Sequence, residues 1–241
     1  MTEVRTDPRV LSAVTPIPGS DSYYDQIWVV KKLDHWRVDG IRKCLEQNGR
    51  KDLWPRAEEP IMSEAHLVDA RTLSKKMLQE VGIDGRRDPA AHSSIHENDK
   101  VLWDCSDSED EEAPSADAQR SQLFQNLQIS WRDELDKVLD DPKYSGHKQE
   151  VDECLTAGGA QLNKHDDGST GAGWEGDFLY GAASEDAMTD EQAKTAGKLL
   201  VKCAQPLWDE WSTELEPKRA DFAEKHNKDL AEISSAVDSA G

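Results

Sequence analysis

The chain has 241 residues with 29 Lys/Arg against 49 Asp/Glu, a net charge of −20, and a mean hydropathy of −0.80. Leu, Ile, Val and Phe make up 44 residues, about 18%, which is too few for one dense aliphatic core, whereas eight Trp supply large buried areas at a few points. No run of about 18 apolar residues exists, so a membrane span is not expected, and the polar segment after Met1 does not read as a signal peptide.

Charge is unevenly placed. Residues 1–103 hold 16 Lys/Arg against 17 Asp/Glu, and residues 104–241 hold 13 against 32. The change falls at Trp103 to Glu112, WDCSDSEDEE. Such a step predicts two modules in different surroundings. The expected fold is mainly α: a flexible arm over 1–22, a small helical module with a basic zone over 23–85, an acidic flexible linker over 86–117, and an antiparallel helical bundle over 118–236.

In chain order, Pro8, Pro16, Pro18 and Gly19 mark residues 1–22 as an arm with turns. Tyr24, Ile27, Trp28 and Val30 fall near one helical face within Tyr23–Trp36. Val38, Ile41, Leu45 and Asn48 step by three and four toward Gly49, a glycine cap. Ser63 to Val81 reads as a helix capped by Ser63 and closed by Gly82. Polar residues dominate Gly82 to Arg120, with Ile95, Val101, Leu102 and Trp103 as apolar anchors.

Leu123, Phe124, Leu127, Trp131, Leu135 and Val138 keep a three-and-four spacing that stops at Asp140, Asp141 and Pro142. A shorter helix around Val151, Cys154 and Leu155 ends at Gly158 and Gly159. Residues 158–181 contain seven of the fifteen glycines and read as a loop or hinge. Thr189 with Gln192 makes a capping box for a helix through Leu200 and Cys203. Pro206 is expected to break or kink it, and Pro217 to open a last helix through Phe222, Leu230 and Ile233.

The four Cys, at 44, 105, 154 and 203, show no CxxC pairing, and reduced thiols on helix faces are expected. With no leader apparent, the expected location is intracellular, cytoplasmic or nuclear.

Several residue groups could carry chemistry. Lys31, Lys32, Arg37, Arg42, Lys43, Arg50 and Lys51, interleaved with Trp28, Trp36 and Trp54, could follow phosphates and stack on bases. Through Val38, Ile41, Leu45, Asn48, Gly49 and Leu53 this segment is slightly similar to the SAP motif, a helix-extended-helix DNA-binding element. The similarity covers under 20 residues and lacks a second helix with a basic end, so it assigns no family.

His92 and His96, with Asp99 as a carboxylate, have a metal-chelating spacing, although the HExxH order is missing. His165, Asp166 and Asp167 precede Gly168, but Trp174 stands where an EF-hand needs its bidentate Glu. GSTGAGWEGD, residues 168–177, lacks the Lys of a P-loop, and no GxSxG occurs. Ser106 and Ser108 each have an acid three residues on, Glu109 and Glu111, as in substrates of acid-directed protein kinases such as casein kinase 2.

No catalytic residue and no cofactor is assigned on these patterns. The leading expectation is a non-catalytic intracellular protein–protein interaction or assembly protein with a protein partner. A nucleic-acid-associated regulator using the basic module and a metal-dependent enzyme using His92, His96 and Asp99 are the alternatives.

Overall fold

The protein is mainly α-helical. A computed structural model describes residues 6–58, 74–83, 100–109, 115–162, 178–180 and 189–239. Its helices are α1 (Pro8–Val14), α2 (Ser22–Leu33), α3 (His35–Gln47), α4 (Lys75–Glu80), α5 (Lys100–Glu109), α6 (Ser115–Leu139), α7 (Ser145–Ala157), α8 (Asp190–Lys225) and α9 (Asn227–Ser239). Short 3-10 turns lie at Lys51–Arg56 and Pro142–Tyr144. Two three-residue strands, β1 (Ala160–Leu162) and β2 (Phe178–Tyr180), pair antiparallel with Gln161 opposite Leu179.

Local chemistry explains many of the boundaries. The Asp7 carboxylate caps α1 by accepting from the Arg9 amide at 2.7 Å, and Pro8 sits at the first helical position, where its missing N–H costs nothing. The end of α3 is a Schellman closure: Gly49 has φ +70°, its amide donates to Glu46 O, and the Arg50 amide donates to Leu45 O at 2.8 Å. The α8 start has both bonds of the capping box, Thr189 N to Gln192 Oε1 at 2.8 Å and Gln192 N to Thr189 Oγ1 at 3.3 Å.

Residues 6–22 of the expected arm pack into the core. α1 presents Val10, Ala13 and Val14, and the turn after it presents Ile17, all buried against α2, α6 and α9. Side chains from three other helices hold the carbonyls that α1 leaves unpaired. Gln26 and Gln128 donate to Ala13 O at 3.3 and 3.0 Å, and the Trp131 indole donates to Pro16 O at 2.8 Å. Arg219 donates twice to Thr15 O, at 3.2 and 2.7 Å. That cation lies at the negative end of α1, and burial pushes its guanidinium below its ordinary pKa. Across the other end of α1, the Asp7 amide donates to Ser234 Oγ, and the Arg9 guanidinium lies 3.5 Å from the Trp28 ring centre.

Buried side chains from Val10 to Val237 form one connected cluster, so residues of the expected front module and back bundle share a core. Ser121 donates to Asp34 at 2.6 Å and Lys75 to Gln205 at 2.8 Å across the same divide. The expected linker, 86–117, contains α5, with Leu102 and Cys105 buried; α5 packs on α3. The helix expected from Ser63 to Val81 lies mostly outside the described residues. Ser74 has an extended backbone and caps α4 through Met77 N, so the helix does not run continuously through it.

Two expectations about prolines and one about cysteines are corrected. α8 continues through both Pro206 and Pro217 for 36 residues, roughly 54 Å. Both prolines are exposed, as are Lys202 and Thr213, whose carbonyls lose an i→i−4 donor to water. On the opposite face Leu200, Ala204, Leu207, Trp208, Trp211 and Leu215 stay buried, and this packing outweighs a penalty of about 3 kcal/mol per proline. The chain breaks at His226 instead, before α9. The cysteines are paired: Cys44–Cys105 ties α3 to α5, and Cys154–Cys203 ties α7 to α8.

α4 lies so close to α8 that Gly197 is required. A Cβ there would stand 2.1 Å from Leu78 O, and one on Gly82, at φ +108°, would stand 2.4 Å from the Ala193 carbonyl carbon. Gly197→Ala therefore destabilises by about 1–3 kcal/mol in urea unfolding, although a helical Gly→Ala change in the open gains up to about 1 kcal/mol. Faster amide exchange over residues 75–80 accompanies it.

Candidate functional site

Four of the seven bases of the basic zone lie beside acidic side chains. Lys31 pairs with Glu58 at 2.7 Å, Arg42 lies 3.7 Å from Asp39, Arg50 pairs with Asp52 at 3.0 Å, and Lys51 pairs with Glu46. Arg50 holds the Asp52 carboxyl below its ordinary pKa by a side-chain hydrogen bond. These are exposed pairs, each contributing about 0–1 kcal/mol, so a phosphate could displace them. They weaken the positive field that would draw a polyanion in, although residues 26–56 still hold eight bases against four acids. Lys43 is exposed on α3, while Lys32 and Arg37 are half-buried near the α2–α3 junction.

Two of the zone's three Trp side chains are also engaged. Trp54, 37% exposed, donates its indole N–H to Arg42 O at 3.1 Å, and Trp28 is covered by Arg9. Lys51–Arg56 is a 3-10 turn containing Pro55. It supplies no second helix of the kind the SAP motif requires.

His92, His96 and Asp99 lie outside the described residues, as do His165, Asp166, Asp167 and the 168–177 glycine stretch. Among the described residues no group of three or more His, Cys, Asp or Glu is disposed to hold a metal, and no helix is long and apolar enough to cross a membrane. Ser106 is fully buried on α5, while the side chain of Ser108 is outside the described set.

Two polar arrangements were not read from the sequence. The first is a cleft where α2 meets α3, beside α6 and α9, lined by Lys32, His35, Asp117, Arg120 and Ser239, with Leu33 and Ala236 behind. Its volume of about 70 Å³ admits a few waters and falls well short of a metabolite pocket of roughly 300 Å³ or more. Arg120 spends its charge on Asp117 at 2.8 Å, and a His35 ring nitrogen bonds Lys32 O.

The second is a cluster joining the turn before α7 to α8. Glu214 accepts from Tyr144 Oη at 2.8 Å and from Lys143, which also lies 3.4 Å from Asp141. Tyr144 packs edge-on against Trp211, with centroids 6.0 Å apart. The Lys143 hydrogen bond lowers the Glu214 pKa below its ordinary value, with Tyr144 adding to it against the effect of burial. Burial, then Glu214, raises that of Tyr144.

In this cluster the carboxylate accepts two hydrogen bonds and is a stabilising acceptor. Its contribution is present above the ordinary carboxylate pKa and fades as pH falls through the lowered folded value. Tyr144→Phe costs about 0.5–1.5 kcal/mol at pH 7 in urea unfolding. At pH 3 the difference from the parent shrinks, because Glu214 is then increasingly protonated.

No family model, curated protein or solved structure matches this chain. Function is therefore argued from its own residues.

Proposed function

We propose that the protein is a non-catalytic interaction or assembly protein that binds a basic surface on a protein partner. The carrying observation is the placement of charge. Among the described residues the core cluster contains no acids, and along α8 Asp209, Glu210, Glu216, Asp221 and Glu224 are all exposed. Residues 104–241 as a whole carry 32 acids against 13 bases. A helical frame with an excess of acidic side chains on its surface favours fast, salt-sensitive encounter with a cationic partner.

Nucleic-acid binding through the front half is the weaker reading, because the local acids pair with that zone's bases. The compartment belongs to the proposal too. Two disulfides that use all four cysteines fit an oxidising compartment better than the cytoplasm or nucleus expected from the sequence.

The test uses the full chain as bait, with captured proteins identified after nuclease treatment and at rising salt. A defined protein that survives nuclease, is lost as salt shortens the Debye length, and is captured less by a Glu216→Lys/Asp221→Lys variant supports the reading. A compact monomer that holds no protein sinks it. Partners lost with nuclease transfer the assignment to nucleic acid.

A further inference from the structure

We propose that the Cys44–Cys105 disulfide is a clasp that controls chemical access to Ser106, so that the closed disulfide and a phosphate on Ser106 exclude each other. Ser106 is the residue after Cys105 on α5 and is 0% exposed; Cys105 is 1% exposed. α5 packs on α3, and the disulfide is the covalent link between them. Leu102 is the buried aliphatic anchor in the first turn of α5, while Asp104 on the same helix is exposed and engaged with Lys100 at 2.7 Å. One cross-link and one turn of apolar packing thus hold down the hydroxyl that the acidic sequence Ser106-Asp107-Ser108-Glu109 marks for an acid-directed kinase.

Phosphorylation needs the serine out of its buried position. A kinase must bring Ser106 Oγ in line with the γ-phosphorus of a nucleoside triphosphate. The new O–P bond forms as the bond to the β–γ bridging oxygen breaks, the nucleoside diphosphate leaves, and the hydroxyl proton passes to the kinase's base. While the clasp is closed, α5 must first detach from α3 against the cross-link.

Opening requires a reductant, a small thiol or dithiol. Cys44 is the half-exposed partner, so thiolate attack at its sulfur releases the Cys105 thiolate. A second thiol then resolves the mixed disulfide, leaving two protein thiols and one oxidised reductant. Asn48 flanks the bond, with its amide nitrogen 3.6 Å from Cys44 Sγ and 3.9 Å from Cys105 Sγ.

The exclusion is reciprocal. A phosphate of about −1.5 to −2 charge cannot occupy the buried Ser106 position without large desolvation, so a phosphorylated chain resists reclosure of Cys44–Cys105. Modification of Ser106 therefore belongs to the reduced state of the chain, before oxidation or after passage into a reducing compartment.

The experiment incubates the full-length protein with a purified acid-directed kinase and nucleoside triphosphate, with Ser108→Ala in all samples and phosphate mapped by mass spectrometry. The oxidised protein, the dithiol-reduced protein with alkylated thiols, and a Cys44→Ala/Cys105→Ala variant that retains Cys154–Cys203 are compared. The expected result is a rise in the initial rate at Ser106 on the order of tenfold or more in the last two samples, lost in Ser106→Ala. In the reverse direction, Ser106→Glu lowers the oxidised fraction of Cys44–Cys105 in a glutathione buffer, while Cys154–Cys203 does not move. Equal rates in oxidised and opened protein overturn the proposal, as does an opened protein, helical by circular dichroism, that takes no phosphate at Ser106.

Discussion

Replacing Trp131 with alanine lowers the unfolding free energy by about 3–5 kcal/mol, a large part of the roughly 5–15 kcal/mol typical of a folded domain. Trp131 is 1% exposed in the middle of α6, edge-on to Phe222 of α8 at 5.6 Å, with its indole N–H on Pro16 O. Alanine removes the ring from the place where α1, α6 and α8 converge and leaves the Pro16 carbonyl without that donor. Trp131→Phe separates the two effects: it keeps a ring and loses the bond, at about 1–3 kcal/mol. Trp54→Ala, at an exposed site, is the control and loses far less. Urea unfolding followed by far-UV circular dichroism measures all three. A Trp131→Ala change below about 1 kcal/mol would mean that the N-terminal segment is not seated on α6.

Which parts of this arrangement can be read from sequence depends on whether the deciding interaction is local. The closure of α3 at Gly49, the Thr189–Gln192 box and the stripe from Phe124 to Val138 are set within one or two turns, and all stand as expected. α1 also has a local signal. Val10, Ala13, Val14 and Ile17 have the i, i+3, i+4, i+7 spacing, and Asp7-Pro8 is a cap followed by a first-turn proline. Reading Pro8, Pro16 and Pro18 together as breakers hides it, because Pro8 starts the helix and the other two follow it.

Pro206 and Pro217 show the converse. A proline's cost depends on which face of the helix it occupies, and here the buried stripe fixes both prolines to water. The charge count of the basic zone misleads for a related reason. A count of eight bases against four acids over residues 26–56 suggests a free cationic surface, yet Lys31 finds Glu58, 27 residues away. The acidic serine motif likewise says nothing of which side chains of α5 are covered, and Ser106 is fully buried.

The cysteine pairing is long-range as well, and it carries the second large effect. Removing Cys154–Cys203 by a double alanine substitution costs about 2–5 kcal/mol; the chain-entropy account gives about 4 kcal/mol for a separation of 49 residues. The enclosed chain includes all of the glycine-rich 158–181 stretch, whose unfolded state has much conformational freedom to lose. The damage is expected to be local at first. α7 packs on α8 and β1, with Val151 and Leu155 buried, so faster amide exchange should begin over residues 145–162 while α6 and the carboxyl-terminal half of α8 stay protected. Cys203 lies in the apolar stripe beside Ala204, so alanine there also loses a little packing. Reducing the parent protein separates the contributions. Parent in dithiol and double variant without it should agree to within about 1 kcal/mol if the cross-link supplies most of the stabilisation. A parent that keeps its stability in dithiol while the variant loses it would assign the effect to the side chains and leave the disulfide without a stabilising role.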